Sequence, residues 1–247
     1  MSIETNADWK GLRRVGVIVR ETLDALERSV RAGLTTKDLD DVAAAIVSRR
    51  GARSAPAVVY GFPGTVLISV NDEVVHGVPG SRRLERGDVV KLDVTLEKDG
   101  YVADAARTVC VEPIGAPARQ LAACAKAAFD AALDVARAGI RVNEIGRAVS
   151  REVRRCGFSI VRGLDGHGVG RTIHEAPRVP NEYHALQRDV LTEGLVITIE
   201  PIISAGSGMA VESSDGWTIR TSDGSLAAHH EHTLVITRGR PVLLTAA

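Results

Sequence analysis

Two short stretches of the 247-residue chain each end an apolar run on a lone carboxylate. Leu84-Glu85-Arg86-Gly87-Asp88-Val89-Val90-Lys91-Leu92-Asp93 is matched by Leu191-Thr192-Glu193-Gly194-Leu195-Val196-Ile197-Thr198-Ile199-Glu200. In both, a leucine precedes a glycine by three residues and the carboxylate follows that glycine by six. A carboxylate at the end of a β-rich run is costly to bury unless something cationic neutralises it. The same cost met twice points to a shared partner, and a metal ion is the first candidate.

Local pattern adds a second carboxylate to the first. Along Val89–Leu96, the side chains of Val90, Leu92, Val94 and Leu96 share one face, while Asp93 and Thr95 take the other. A turn about Lys98-Asp99-Gly100 folds Tyr101–Val111 back as the second arm of a hairpin. Asp104 is then expected opposite Asp93, to within about one residue of register. Neighbouring carboxylates repel, so such a pair shares a proton, binds a cation or lies on a solvated face. The apolar flanks favour the cation.

Gly166-His167-Gly168-Val169-Gly170-Arg171-Thr172-Ile173-His174-Glu175 adds imidazoles on a backbone that can approach its neighbours closely. Imidazole is the commonest metal ligand among side chains, and the second histidine could serve a substrate. The string has neither the Gly-Lys-Ser/Thr ending of a P-loop nor the Gly-x-Gly-x-x-Gly order of a dinucleotide loop. Glu200 ends a strand whose Leu195, Ile197 and Ile199 face away from it, and Pro201 stops the ladder. Glu231 sits among His229, His230 and His232. Alternation sends His230 and His232 to the face opposite Glu231, which argues against a zinc site made of the three histidines. They read as structural residues or as supports for the ligands.

The elements that must position these groups repeat. A helix is expected from about Asp8 to Ala32, ended by Gly33, with Leu12, Val15, Val19, Leu23, Leu26 and Val30 on one face. A second starts at a Thr35 cap with Asp38 three residues on, buries Leu39, Val42, Ile46 and Val47, and closes at Gly51. Strand-like segments follow at Ala57–Tyr60 and Val66–Val70, then loop signals over Asn71–Arg83. After Pro117 the plan restarts, with helices at Ala118–Ala138, ended by Gly139, and Asn143–Cys156. Arg137-Ala138-Gly139 lies 106 positions after Arg31-Ala32-Gly33, and Ile145 and Gly157 keep that distance from Leu39 and Gly51. The two carboxylate-bearing strands are offset by 107. A near-constant offset over helix, helix and strand implies an internal duplication whose halves pack as a pseudo-symmetric pair around a shared sheet.

Composition bounds the function. Length allows one large domain or two small ones, and 45% hydrophobic with 25% charged residues is ordinary for a globular protein. Zero net charge leaves no basic footprint for nucleic acid. Cys110, Cys124 and Cys156 are odd in number and lack metal-type spacing, as free thiols of a reducing compartment would be. No run reaches the roughly eighteen apolar residues of a membrane span, and the N-terminus is not of signal type. A cytoplasmic monomer without membrane or nucleic-acid partners is expected.

In this order and spacing, His76-Gly77-Val78-Pro79, Leu92-Asp93-Val94-Thr95, Gly166 to Arg171, His174-Glu175, Thr198-Ile199-Glu200-Pro201, Asp215-Gly216-Trp217-Thr218 and Glu231-His232-Thr233 resemble the type I methionine aminopeptidases of bacteria over nearly the whole chain. The resemblance implies a pita-bread α/β fold (α+β) with two related halves, roughly 8–116 and 117–247, forming one catalytic domain over 1–247. It implies metal ligands at Asp93, Asp104, His167, Glu200 and Glu231, holding two divalent ions (Co²⁺, Mn²⁺, Fe²⁺ or Zn²⁺) that activate a water and polarise the scissile carbonyl. Glu200 would also move that water's proton, and His76 and His174 would engage the scissile amide. The implied substrate is the initiator methionine of nascent polypeptides with a small second residue, met in transient proximity to the ribosome.

Several positions depart from the family pattern. Gly61-Phe62-Pro63 replaces a Gly-Tyr-Pro turn, Leu67 a cysteine, Ile173 an aromatic, and Val59 a tyrosine, though Tyr60 is adjacent. Phe62, Leu67, Ile173 and Trp217 are expected to form an apolar, less aromatic pocket for a methionine side chain. No zinc-finger or proline-rich extension is expected before the core. An X-Pro aminopeptidase or prolidase shares fold and ligands, but Asp93 arrives too early for the extra N-terminal domain those chains usually carry. A non-catalytic binding module of this fold would be expected to have lost ligands.

Overall fold

Helix α1 (Asn6–Ser29) starts at a capping box in which Thr5 Oγ1 accepts from the Asp8 N–H and the Asp8 carboxylate accepts from the Thr5 N–H. Leu12, Val15, Val19, Leu23 and Leu26 are fully buried along one face. Each such side chain stabilises by ~1.5–3 kcal/mol against ~1 for a cap, so packing holds the helix and the cap sets where it begins. Helix α2 (Thr36–Arg50) repeats the capping box with Thr35 and Asp38 and ends on Gly51 at φ 59°. The computed structural model describes residues 1–246; Ala247, the last residue of the expected domain, lies outside the described residues.

Helix α3 (Ala55–Tyr60) occupies the segment where Ala57–Tyr60 is expected as a strand. The β-branched pair Val58-Val59 suggests a strand, but Ser54 caps the Ala57 N–H, Pro56 suits the first turn and Gly61 closes it at φ 75°. Helices α4 (Ala116–Val135) and α5 (Asn143–Arg155) complete the set. Both long helices stop short of the glycines expected to end them. The chain leaves α1 at Val30, and the Gly33 N–H donates to the Leu84 carbonyl at 2.8 Å. It leaves α4 at Ala136, and the Gly139 N–H donates to the Leu191 carbonyl at 2.9 Å. Leu84 and Leu191 are the equivalent leucines of the two repeats, so the same exit is made twice. The duplication also shows in the starts of α2 and α5 (Thr36, Asn143) and of two strands (Val89, Val196), which keep one spacing.

The strands are antiparallel. Val89–Lys98 is flanked by Tyr101–Cys110 on one side and by Leu67–Val70 and Arg53–Ser54 on the other. A second sheet runs Val242–Leu243, His232–Val235, Val196–Ile199, Gly166–Gly168, Glu175–Val179. Ala227–His229, Ile202–Ser204 and Ser159–Ile160 form a third. Within the expected loop Asn71–Arg83, Glu73–Val75 is a strand because Ile219–Thr221, far along the chain, pairs with it. Helices α1 and α2 cover the first sheet through a core that includes Leu12, Leu23, Leu39, Val90, Leu92 and Val94. Helices α4 and α5 cover the second through Leu121, Phe129, Ile145, Ile197, Ile199 and Leu234.

The hairpin register differs from the expected one by two residues. Asp93 lies opposite Ala106, and Asp104 lies opposite Thr95. The turn has two residues, Asp99 and Gly100, both at positive φ (53° and 79°), rather than three. Because side chains alternate with period two, an even shift keeps Asp93 and Asp104 on one face as diagonal neighbours.

Candidate metal centre

Backbone register brings the carboxylates together. Ala106, opposite Asp93, exchanges backbone hydrogen bonds with Glu231 on its other side, at 2.9 and 3.2 Å. Thr233 clamps the next position: the Asp104 N–H donates to Thr233 Oγ1 at 2.8 Å, and that hydroxyl donates to the Asp104 carbonyl at 2.7 Å. His232 pairs with Ile199, so Glu231 and Glu200 follow one step further on adjacent strands.

His167 enters from Gly166–Gly168. A Cβ on Gly166 would lie 2.7 Å from the Thr198 carbonyl oxygen, and one on Gly168 would lie 2.2 Å from that of Ala176, so only glycine permits this approach. The His167 N–H donates to Thr198 Oγ1 at 3.1 Å, and the same hydroxyl donates to Glu200 Oε1 at 3.0 Å. His167 Nδ1 lies 2.9 Å from the Gly168 carbonyl, which can only accept, so the proton sits on Nδ1. That leaves the Nε2 lone pair 3.5 Å from Glu200 Oε1. Burial, and then His174, lower the His167 pKa to about 4, so the ring is neutral at pH 7, the form that binds metal.

The carboxylates are unstable neighbours without a cation. Burial, then Asp104, then Glu200 raise Asp93 well above its ordinary value, and burial raises Asp104 to about 6. Glu200 and Glu231 are likewise pushed up, by burial first and Asp104 second. Asp93 Oδ1 and Glu231 Oε1 are buried with no hydrogen-bond partner among the described residues. Orphaned acceptors, mutual repulsion and a neutral imidazole are the donor set that a divalent cation completes. The 3.5 Å separation of His167 Nε2 and Glu200 Oε1 suits two donors each about 2.1 Å from one ion.

A cavity of about 230 Å³ opens onto this cluster. It is smaller than the ~300–1,000 Å³ pockets of drug-sized ligands. Every residue expected at the site lines it: Phe62, Leu67, His76, Asp93, Asp104, His167, Ile173, His174, Glu200, Trp217 and Glu231. Phe62 meets Trp217 edge to face, with centroids 5.2 Å apart at 86°, and Leu67 and Ile173 are buried beside them. His76 holds a left-handed backbone (φ 59°), and the His174 ring lies 4.4 Å from that of His167.

Tyr60 is not among the expected site residues, and His229 is expected only as a structural residue or a support for the ligands. Tyr60 Oη is 2.7 Å from His174 Nδ1, a contact that exists only because α3 is a helix. His229 faces the carboxylates, while His230 and His232 pack on Phe129 with centroids 5.2 Å away. Its odd position, shared with Glu231, was the available signal.

A neutral imidazole and four carboxylates at the floor of an apolar cavity, presented by two related α/β halves, define a metal-dependent hydrolase of pita-bread fold. The chain belongs to metallopeptidase family M24, whose sequence model matches residues 10–238. It is 40% identical to methionine aminopeptidase 2 of Bacillus subtilis (strain 168) over 247 residues, covering 99% of each chain. The crystal structure of methionine aminopeptidase from Rickettsia prowazekii superposes with a TM-score of 0.95 at 33% identity, covering 100% of both chains. Prolidase from Pyrococcus furiosus shares the fold alone, at a TM-score of 0.80 and 22% identity, with 99% of this chain and 65% of that one covered. No helix among the described residues is long and apolar enough to cross a membrane.

Proposed function

We propose that this protein removes the initiator methionine from nascent polypeptides whose second residue is small. The observation that carries the reading is the convergence of Asp93, Asp104, His167, Glu200 and Glu231 on one cavity that also holds an apolar pocket. Two divalent ions held by these five residues, drawn from Co²⁺, Mn²⁺, Fe²⁺ or Zn²⁺, would supply Lewis acidity and a water reactive at neutral pH. Glu200 takes the proton of the attacking water and passes it to the leaving amine. His76 and His174 hold the scissile amide, and Tyr60 fixes the orientation of His174 through Nδ1. Phe62, Leu67, Ile173 and Trp217 receive the unbranched methionine side chain. The halves 8–116 and 117–247 act as one catalytic domain, working as a cytoplasmic monomer near the ribosome.

The test is cleavage of Met-Ala-Ser and Met-Lys-Ser across a metal series, with Asp104→Asn as control. Met-Ala-Ser is cleaved and Met-Lys-Ser resists. Asp104→Asn loses metal uptake and rate by more than the ~10–100-fold typical of an outer partner. No cleavage of Met-Ala-Ser with any divalent ion sinks the reading, and preferential cleavage of an X-Pro peptide replaces it with an X-Pro peptidase.

A further inference from the structure

His229 is 1% exposed, and neither ring nitrogen has a hydrogen-bond partner among the described residues. Its backbone is fixed on both sides. It pairs with Ile202, its N–H donates to Thr108 Oγ1 at 2.9 Å, and that hydroxyl donates to its carbonyl at 2.8 Å. The ring therefore cannot withdraw to solvent. An unpaired polar group so buried is destabilising, and the cost is removed only by a partner inside the cavity. Two carboxylate oxygens lie close by, Glu231 Oε2 at 3.6 Å and Glu200 Oε2 at 3.8 Å from Nε2.

Those separations suit two roles, a sixth metal ligand or a hydrogen-bond donor to the carboxylates. The other ring nitrogen decides between them. A ligating imidazole donates its second N–H to a fixed acceptor. His167 does so, from Nδ1 to the Gly168 carbonyl, whereas His229 Nδ1 has no acceptor among the described residues. With the proton on Nε2 instead, only a lone pair is left unused and the N–H has two carboxylate oxygens within 3.8 Å of its nitrogen.

We propose that His229 is a positioning residue, donating its Nε2–H to Glu200 Oε2 and Glu231 Oε2 and so holding both carboxylates in their ligating orientation. Glu231 Oε1, which has no partner among the described residues, is thereby left for an ion. The inference rests on the five-ligand centre proposed above.

Its test is Co²⁺ binding. Calorimetric titration compares wild type with His229→Gln, whose amide keeps an N–H donor, and His229→Leu, which has none. Proton NMR of the Co²⁺-loaded wild type counts contact-shifted, exchangeable imidazole N–H signals, one per coordinated histidine. The expected result is a single such signal, wild-type affinity in His229→Gln, and a loss of about 10- to 100-fold in His229→Leu. A second signal that disappears in His229→Gln would make His229 a ligand and overturn the proposal, as would equal affinity in all three proteins. Should His229→Leu fail to fold, His229→Ala replaces it with the same expected loss. A wild type that binds no Co²⁺ removes the five-ligand centre itself, an outcome distinct from indifference to His229.

Discussion

Glu231 and Ala106 exchange both backbone hydrogen bonds, the Glu231 N–H to the Ala106 carbonyl at 2.9 Å and the Ala106 N–H to the Glu231 carbonyl at 3.2 Å. Ala106 in turn faces Asp93, so Asp93, a spacer and Glu231, which lies between strands Ala227–His229 and His232–Val235, are in line. The candidate metal centre is thus a consequence of strand register, and its ligands are as rigid as the sheets that bear them.

Thr233→Val should test how far that rigidity matters. The substitution keeps shape but removes the hydroxyl that serves both the N–H and the carbonyl of Asp104. Two buried backbone groups lose their partner, for a loss of ~1–3 kcal/mol in urea unfolding. A variant as stable as wild type would show that the clamp contributes nothing.

Glu231→Gln separates stability from metal binding. Without metal, burial first and then Asp104, Glu200 and Asp93 oppose ionisation of Glu231. The metal-free variant should therefore unfold at or above the wild-type temperature. Wild type should gain about 2.7 kcal/mol when the ion reaches 100 times its Kd, and the variant much less. A metal-free variant clearly less stable than wild type would contradict the repulsion.

Tyr60→Phe removes one hydrogen bond to His174 Nδ1 and touches no expected ligand. At ~0.5–1.5 kcal/mol for that bond, kcat/KM on a methionyl peptide should fall by about 3- to 10-fold. Metal affinity, measured by calorimetry, should not move; a parallel loss of metal would place Tyr60 in the centre's own scaffold.

Asp8 supplies a pH signature away from the centre. The Thr5 hydroxyl, against an opposing burial effect and with help from the Thr5 N–H and Tyr101, lowers its pKa from 3.8 to about 2. Arg171, from the glycine-rich segment after His167, donates to the same carboxylate at 2.6 Å. A folded pKa below the unfolded one means that the unfolded chain binds more protons in this range, so stability rises with pH. The contribution of Asp8 is complete above about pH 4 and is lost as pH falls through 2. The thermal midpoints of wild type and Asp8→Asn should converge over that window, and a constant gap would refute the linkage.

Local chemistry made much of this protein legible. The capping boxes at Thr5 and Thr35 and the apolar faces of the helices depend on residues within a turn or two of each other. The alternation that separates Asp93 from Leu92 and Val94 depends only on strand geometry. The repeat of Leu84–Asp93 in Leu191–Glu200 is written in the chain itself, and it foretold that each half would bring a carboxylate to the same place.

What the tertiary structure decided were the matters that depend on a distant partner. Both long helices end early because Gly33 and Gly139 bond to Leu84 and Leu191. Glu73–Val75 is a strand because Ile219–Thr221 lies beside it. Asp104 faces Thr95 because Asp99-Gly100 alone makes the turn, a choice between two-residue and three-residue loops that alternating hydrophobicity does not encode. His229 meets Glu200 only once Ala227–His229 pairs with Ile202–Ser204. Residue types and periodicity determine which groups can share a face; long-range register alone determines which of them meet.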